Sequence, residues 1–190
     1  MKNVIFAVAL VLLCSACSTL SVNTDFNPEY DFTWLKTYAW LETDSAPSGD
    51  TRINNDLVAA RVRNAVEKSL EARGFVKADS SSADFRVSWH GAIQKKLQVD
   101  TIDHFYSPYG YGALYRDPFM GGTSMRTSTA REYEVGTLVV DILDPIHHKL
   151  IWRGSGSDRL GDGTDPEKST QKINAAVSAI LKDFPPAEKY

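Results

Sequence analysis

The 190-residue chain has 43% hydrophobic and 24% charged residues and a formal net charge of −3, an ordinary composition for one globular domain. That mildly acidic balance offers no basic face for phosphate, so nucleic acid is not an expected partner. Both cysteines, Cys14 and Cys17, lie near the amino terminus, so no internal disulfide is expected and an apolar core must hold the fold.

Lys2 supplies a short positive region, and Val4 to Leu13 (VIFAVALVLL) follows as an apolar run. Ten residues are too few to span a bilayer as a mature helix but suit a signal peptide, here residues 1–16. Ser15 and Ala16 are small, as a signal peptidase cleft requires, and cleavage between Ala16 and Cys17 is expected. This stretch resembles the bacterial lipobox, in which the thiol of the final cysteine receives diacylglycerol. Cys14 stands where the lipobox usually has leucine. Ordinary secretory cleavage, leaving Cys17 a free thiol, is the alternative. In many Gram-negative bacteria Asp after the cysteine retains a lipoprotein in the inner membrane. Ser18 stands there instead, which points to the outer membrane. Residues 17–19 then form a lipidated tether, and the palmitate-type chains replace a membrane-spanning helix.

Leu20, Val22 and Thr24 alternate with Ser21, Asn23 and Asp25, which predicts a strand. Asn27-Pro28-Glu29 breaks it, and Lys36 to Leu41 is a second strand rich in aromatic residues. Ser45 to Asp50 reads as a polar loop. Asn55 to Arg73 predicts a helix, its apolar stripe formed by Leu57, Val58, Val62, Ala65, Val66, Ser69 and Leu70. Gly74 is placed to end it with a positive φ.

Ala83 to Ala92 alternates as a strand, with a continuation towards Val99 left open. Residues 104–130 are rich in Gly and Tyr, carry no pattern and read as a flexible insertion. Strands over Glu132–Leu143 and Lys149–Ser157 follow, joined by a hairpin connection at Asp144 to His148. Leu138 to Leu143 is apolar on both faces and is expected to be covered on both. A second helix starts with Asp165 as cap and Pro166 in its first turn. Its stripe is Ile173, Ala176, Val177, Ile180, Leu181 and Phe184, and Pro185-Pro186 stops it. The order β-β-α-β-β-β-α predicts an α+β two-layer sandwich: a mainly antiparallel sheet with both helices on one face. Residues 20–186 make this single domain and 187–190 a tail.

The chain resembles a bacterial lipoprotein family catalogued as domain of unknown function 4136. The resemblance runs from Asp25 and Tyr30-Asp31-Phe32 into Lys36-Thr37-Tyr38-Ala39-Trp40, then through Leu70, Gly74 and Ala83-Asp84-Phe85. It is most specific at Tyr133, Gly136-Thr137-Leu138-Val139-Val140-Asp141 and Leu150-Ile151-Trp152-Arg153-Gly154, and closes at Phe184-Pro185-Pro186. The resemblance implies a lipid-anchored envelope protein and carries over no catalytic residue.

The residues offer little catalytic pattern. His90, His104, His147 and His148 lack zinc-ligand spacing, so no metal and no cofactor are expected. Gly154-Ser155-Gly156 is not a nucleophile elbow and reads as close packing or a bulge, and Gly121-Gly122-Thr123 is too short for a phosphate loop. Asp144-Pro145 reads as a turn start, and Asp141 as a partner of Arg153 across the hairpin. Phe105, Tyr106, Tyr109, Tyr111, Tyr115 and Phe119 form a candidate contact surface for a protein, glycan or headgroup; alternatively their rings cover the open sheet face. The expectation is a non-enzymatic lipoprotein of the outer membrane, facing the periplasm. Its lipid meets the membrane, and an envelope protein or glycan is its partner. A periplasmic enzyme or small-ligand binder, with a site between the aromatic loop and the sheet, is the alternative.

Overall fold

A computed structural model describes residues 20–41, 50–105, 124–147, 149–161 and 165–187; at 100–105 and 124–127 it describes the backbone alone. The elements are β1 (Ser21–Phe26), β2 (Thr37–Trp40), α1 (Asp56–Glu71), β3 (Val76–Lys77), β4 (Phe85–Phe105), β5 (Ser124–Leu143), β6 (Leu150–Arg159) and α2 (Pro166–Ile180). A short 3-10 turn, Leu181–Asp183, closes α2. The strands form one sheet in the order β1-β6-β5-β4-β2-β3, and both helices pack on one face of it. The predicted α+β two-layer architecture is thus the observed one.

Pairing is antiparallel from β1 through β6 and β5 to β4, but β2 runs parallel to both β3 and β4. The reason is α1: a 16-residue helix after β2 returns the chain to the same end of the sheet before the next strand begins. β3 has two residues, too few for any periodicity to announce it.

Local chemistry sets the helix ends. The Asn55 side chain accepts a hydrogen bond from Val58 N at 3.0 Å, which caps α1. Gly74 takes φ +90°, and Phe75 N donates back to Leu70 O at 3.1 Å, closing the helix as expected. Asp165 accepts from Glu167 N, and Pro166 opens α2. Val62, Ala65, Val66 and Leu70 form the buried stripe of α1. Leu57 does not belong to it and is exposed. Five residues before Val62, at 3.6 residues per turn, it lies about 140° from the stripe's centre.

The core is aromatic at its heart. Phe184 is buried, with ring centroids 5.2 Å from Trp152, 5.5 Å from Phe85, 5.6 Å from Phe75 and 6.3 Å from Phe32. A register shift between Ile142 and Leu143 makes Ile151 an extra residue on β6, so that consecutive Ile151 and Trp152 are both buried. Gly154 and Gly156 lie beneath α2. A Cβ on Gly154 would meet the Trp152 ring and sit 2.6 Å from Ile180 Cγ2. The Gly-Ser-Gly run is therefore a packing device, as its small residues suggest.

Two expectations need correction. The Gly/Tyr-rich stretch is shorter than 104–130, since β4 runs to Phe105 and β5 begins at Ser124, not Glu132. Alternating strand pairing overrides the weak local pattern there. Cover over Leu138–Leu143 also differs between its two faces: the helices bury Val140 and Ile142, while on the other face Asp141 is buried but Val139 and Leu143 are half-buried.

Candidate functional site

Two surfaces are candidates, and both follow from strand register. The first is the sheet face opposite the helices. A row of side chains crosses four strands there: Asp25 on β1, Arg153 on β6, Asp141 on β5 and Ser88 on β4. The next row is Asn23, Ser155, Val139 and His90. Alternation places these side chains, all polar but Val139, on one face.

Asp141 is its centre, and only 4% of it is exposed. Arg153 donates from Nε to Oδ1 at 2.6 Å and from Nη2 to Oδ2 at 2.7 Å. This two-pronged pair holds the guanidinium above its ordinary pKa, chiefly through the hydrogen bonds. His90 Nε2 stands 3.7 Å from the same Oδ2. Among the described residues no hydrogen bond joins Ser88 to His90, and both oxygens of Asp141 are taken by Arg153. The arrangement suits charge pairing at a surface more than proton transfer to a nucleophile. The predicted Asp141–Arg153 pair is present; the approach of His90 was missed, because nothing in the chain announces which β5 residue lies beside it.

The second surface is the β4–β5 arm. β6 pairs with β5 no farther than Val135, and β2 pairs with β4 over Phe85–Val87 alone. Leu160 N still donates to Glu134 O at 2.9 Å, and from Lys96↔Tyr133 out to Phe105↔Ser124 the arm is a two-stranded ribbon that no other described strand joins. Its root is gripped on both faces. Arg52 Nη1 meets Glu134 Oε2 at 2.7 Å while its Nη2 meets Asp50 Oδ2 at 2.7 Å. Hydrogen bonds from Arg52 push the Asp50 carboxyl down to about 2. On the opposite face the Arg159 guanidinium lies 4.0 Å from the Tyr133 ring centroid and donates to Gln98 Oε1 at 3.0 Å. Farther out, Leu97 and Val99 are 72% and 61% exposed.

Ala16, Cys17, Tyr106, Tyr109, Tyr111, Tyr115, Phe119, Gly121-Gly122-Thr123 and His148 lie outside the described residues, as do the leader and residues 188–190 of the tail. Phe105 and His104 are placed by backbone alone, at the end of β4. His147 belongs to the turn after β5: its Nδ1 lies 2.8 Å from Asp144 Oδ2, and Asp144 Oδ1 accepts from Ile146 N at 2.7 Å. Burial raises the Asp144 carboxyl, but these hydrogen bonds outweigh it and leave the group below its ordinary pKa. Among the described residues no three His, Cys, Asp or Glu side chains could hold a metal ion together, and no helix is long and apolar enough to cross a membrane.

The stretches that carry the family resemblance have structural work to do. Asp84 Oδ2 accepts from Lys36 N at 2.9 Å and Thr37 N at 2.8 Å, which fastens the start of β2 to β4. Gly136 makes room for Leu160, Asp141 holds Arg153, and Trp152 and Phe184 meet in the core.

No curated protein matches the chain. Among solved structures it is similar to a PDZ domain protein from Parabacteroides distasonis, with a TM-score of 0.56 and 14% identity over 97% of this chain. The chain spans 40% of that protein, and the likeness shows the fold alone. A DUF4136 family protein from Bacteroides thetaiotaomicron matches over 88% of this chain and 97% of its own, with 16% identity and a TM-score of 0.46. PelC from Paraburkholderia phytofirmans, a dodecamer in its crystals, matches over 85% of this chain and 94% of its own, with 12% identity and a TM-score of 0.44. The family model for the domain of unknown function DUF4136 matches residues 22–186, almost the whole described domain, and the chain belongs to that family.

Proposed function

We propose that this protein is an outer-membrane lipoprotein of the cell envelope, anchored through Cys17, which serves a binding or structural role on the periplasmic side. The carrying observation is the leader: a basic start, ten apolar residues, and Ser15-Ala16 before Cys17. The polar face and the projecting arm support a contact role, since both present side chains outward from paired strands. A bacterial lipoprotein carries several acyl chains, so one modified cysteine anchors it stably. Cys17→Ser tests the reading by cell fractionation. The variant should leave the membrane fraction as soluble protein or accumulate with its leader uncut. A Cys17→Ser protein that fractionates with the outer membrane as the parent does would contradict the anchor.

A further inference from the structure

Strand register relates the arm to the anchor. One row crosses the sheet through Ser21 of β1, Ser157 of β6, Thr137 of β5 and Ala92 of β4. The chain enters β1 at this row through Leu20, at the end of the sheet from which the arm projects. From Ala92 to Phe105, β4 runs thirteen residues past the row. At 3.2–3.4 Å per residue that is about 42–44 Å. From Ser21 back to Cys17 is four residues, which reach about 14 Å at full extension.

The arm is therefore roughly three times longer than the tether and leaves the same end of the sheet. With the strands upright on a bilayer, the arm would run about 30 Å beyond the plane that holds Cys17, through the hydrocarbon core. The ribbon is unfit for that depth. It carries Lys95, Lys96, Glu132 and Glu134, and among the described residues no further strand joins either of its edges beyond Glu134. Its root is held on two faces by Arg52 and Arg159, so it does not fold back freely. One placement satisfies tether and ribbon together: the sheet leans over, and the arm lies along the lipid headgroups.

We propose that the β4–β5 arm is a membrane-docking element, held by the four-residue tether against the headgroups of the leaflet that holds the acyl chains. The proposal rests on the lipidation of Cys17. Exposed Leu97 and Val99 among charged neighbours suit a headgroup boundary, where apolar side chains reach inward and charges stay hydrated.

The test uses the full lipidated chain in phosphatidylethanolamine–phosphatidylglycerol vesicles. With Cys17 acylated and Cys14 lost with the leader, the parent has no free thiol. A cysteine at Leu97→Cys or Ile146→Cys is then the one site for a thiol-reactive fluorophore. Ile146 is also well exposed but lies at the opposite end of the sheet. Nitroxide placed on the lipid headgroups should quench the label at position 97 several-fold more than at position 146. Equal quenching on a parent that takes up no dye would overturn the docking alone. If energy transfer between labelled copies accompanies it, the arm belongs to a second copy. Dye uptake by the parent would show a free Cys17 thiol and overturn the anchor, and the docking with it.

Discussion

Tyr38 shows how little slack the interior has. Its hydroxyl is buried without a hydrogen-bond partner among the described residues, and so is that of Tyr30. Burial first, then the negative charges nearby, pushes both phenols up to about 12. Asp144, Asp31 and Asp84 act on Tyr30, and Glu67 and Glu71 on Tyr38. In the unfolded chain these phenols ionise near 10, so the folded state binds more protons above that pH. Their contribution to stability is full below about pH 10 and is lost as pH rises towards about 12. Ultraviolet titration of the folded protein should show two tyrosines ionising late, and the unfolding midpoint should fall across the same window. Gly154 is tight for a different reason, since Ile180 and Trp152 occupy the place of any side chain. Gly154→Ala should cost about 1–3 kcal/mol by overpacking, read as a lower denaturant midpoint at an unchanged m-value.

At the scale of elements, the arm and the rest of the sheet separate. The buried cluster takes residues from β2, both helices, the inner part of β4 and β5, and β6; none of the described side chains between 93 and 134 belongs to it. A lone two-stranded ribbon is marginal in water, so the arm adds little to the stability of the body. Replacing residues 96–133 with Asn-Gly should close a tight hairpin between Lys95 and Glu134 and leave the domain folded. Circular dichroism and thermal melting check this: a two-state melt within a few degrees of the parent is expected. Loss of cooperative unfolding would show that the arm is part of the core after all. The helices were legible because each carries its own signals. Asn55 and Asp165 cap, Gly74 terminates, and apolar stripes repeat at helical spacing. The outer arm was not legible. Among the described strands its two pair with each other alone, so neither needs the one-sided apolar alternation that a core face imposes. β3 failed for shortness, and the parallel pairing of β2 follows from the path of α1 rather than from any residue in β2 itself.

At the scale of the molecule, one sheet divides labour between its two faces and its two ends. Helices cover one face, and the polar row at Asp25, Arg153, Asp141 and Ser88 occupies the other. The end that carries the β5–β6 turn lies opposite the end where the chain enters and the arm leaves. Half of the polar site could be read in advance. Asp141 and Arg153 flank a turn marked by Asp144-Pro145, whereas His90 joins them only through a β4 register that no turn residue sets. The anchor rests on residues before Leu20 and is a matter of chemistry rather than packing. Mass spectrometry of the amino-terminal peptide from membrane-extracted protein tests it directly. The account predicts a peptide that begins at Cys17 and carries diacylglyceryl and acyl groups. A peptide that begins at Met1, or a Cys17 terminus without lipid, would contradict it.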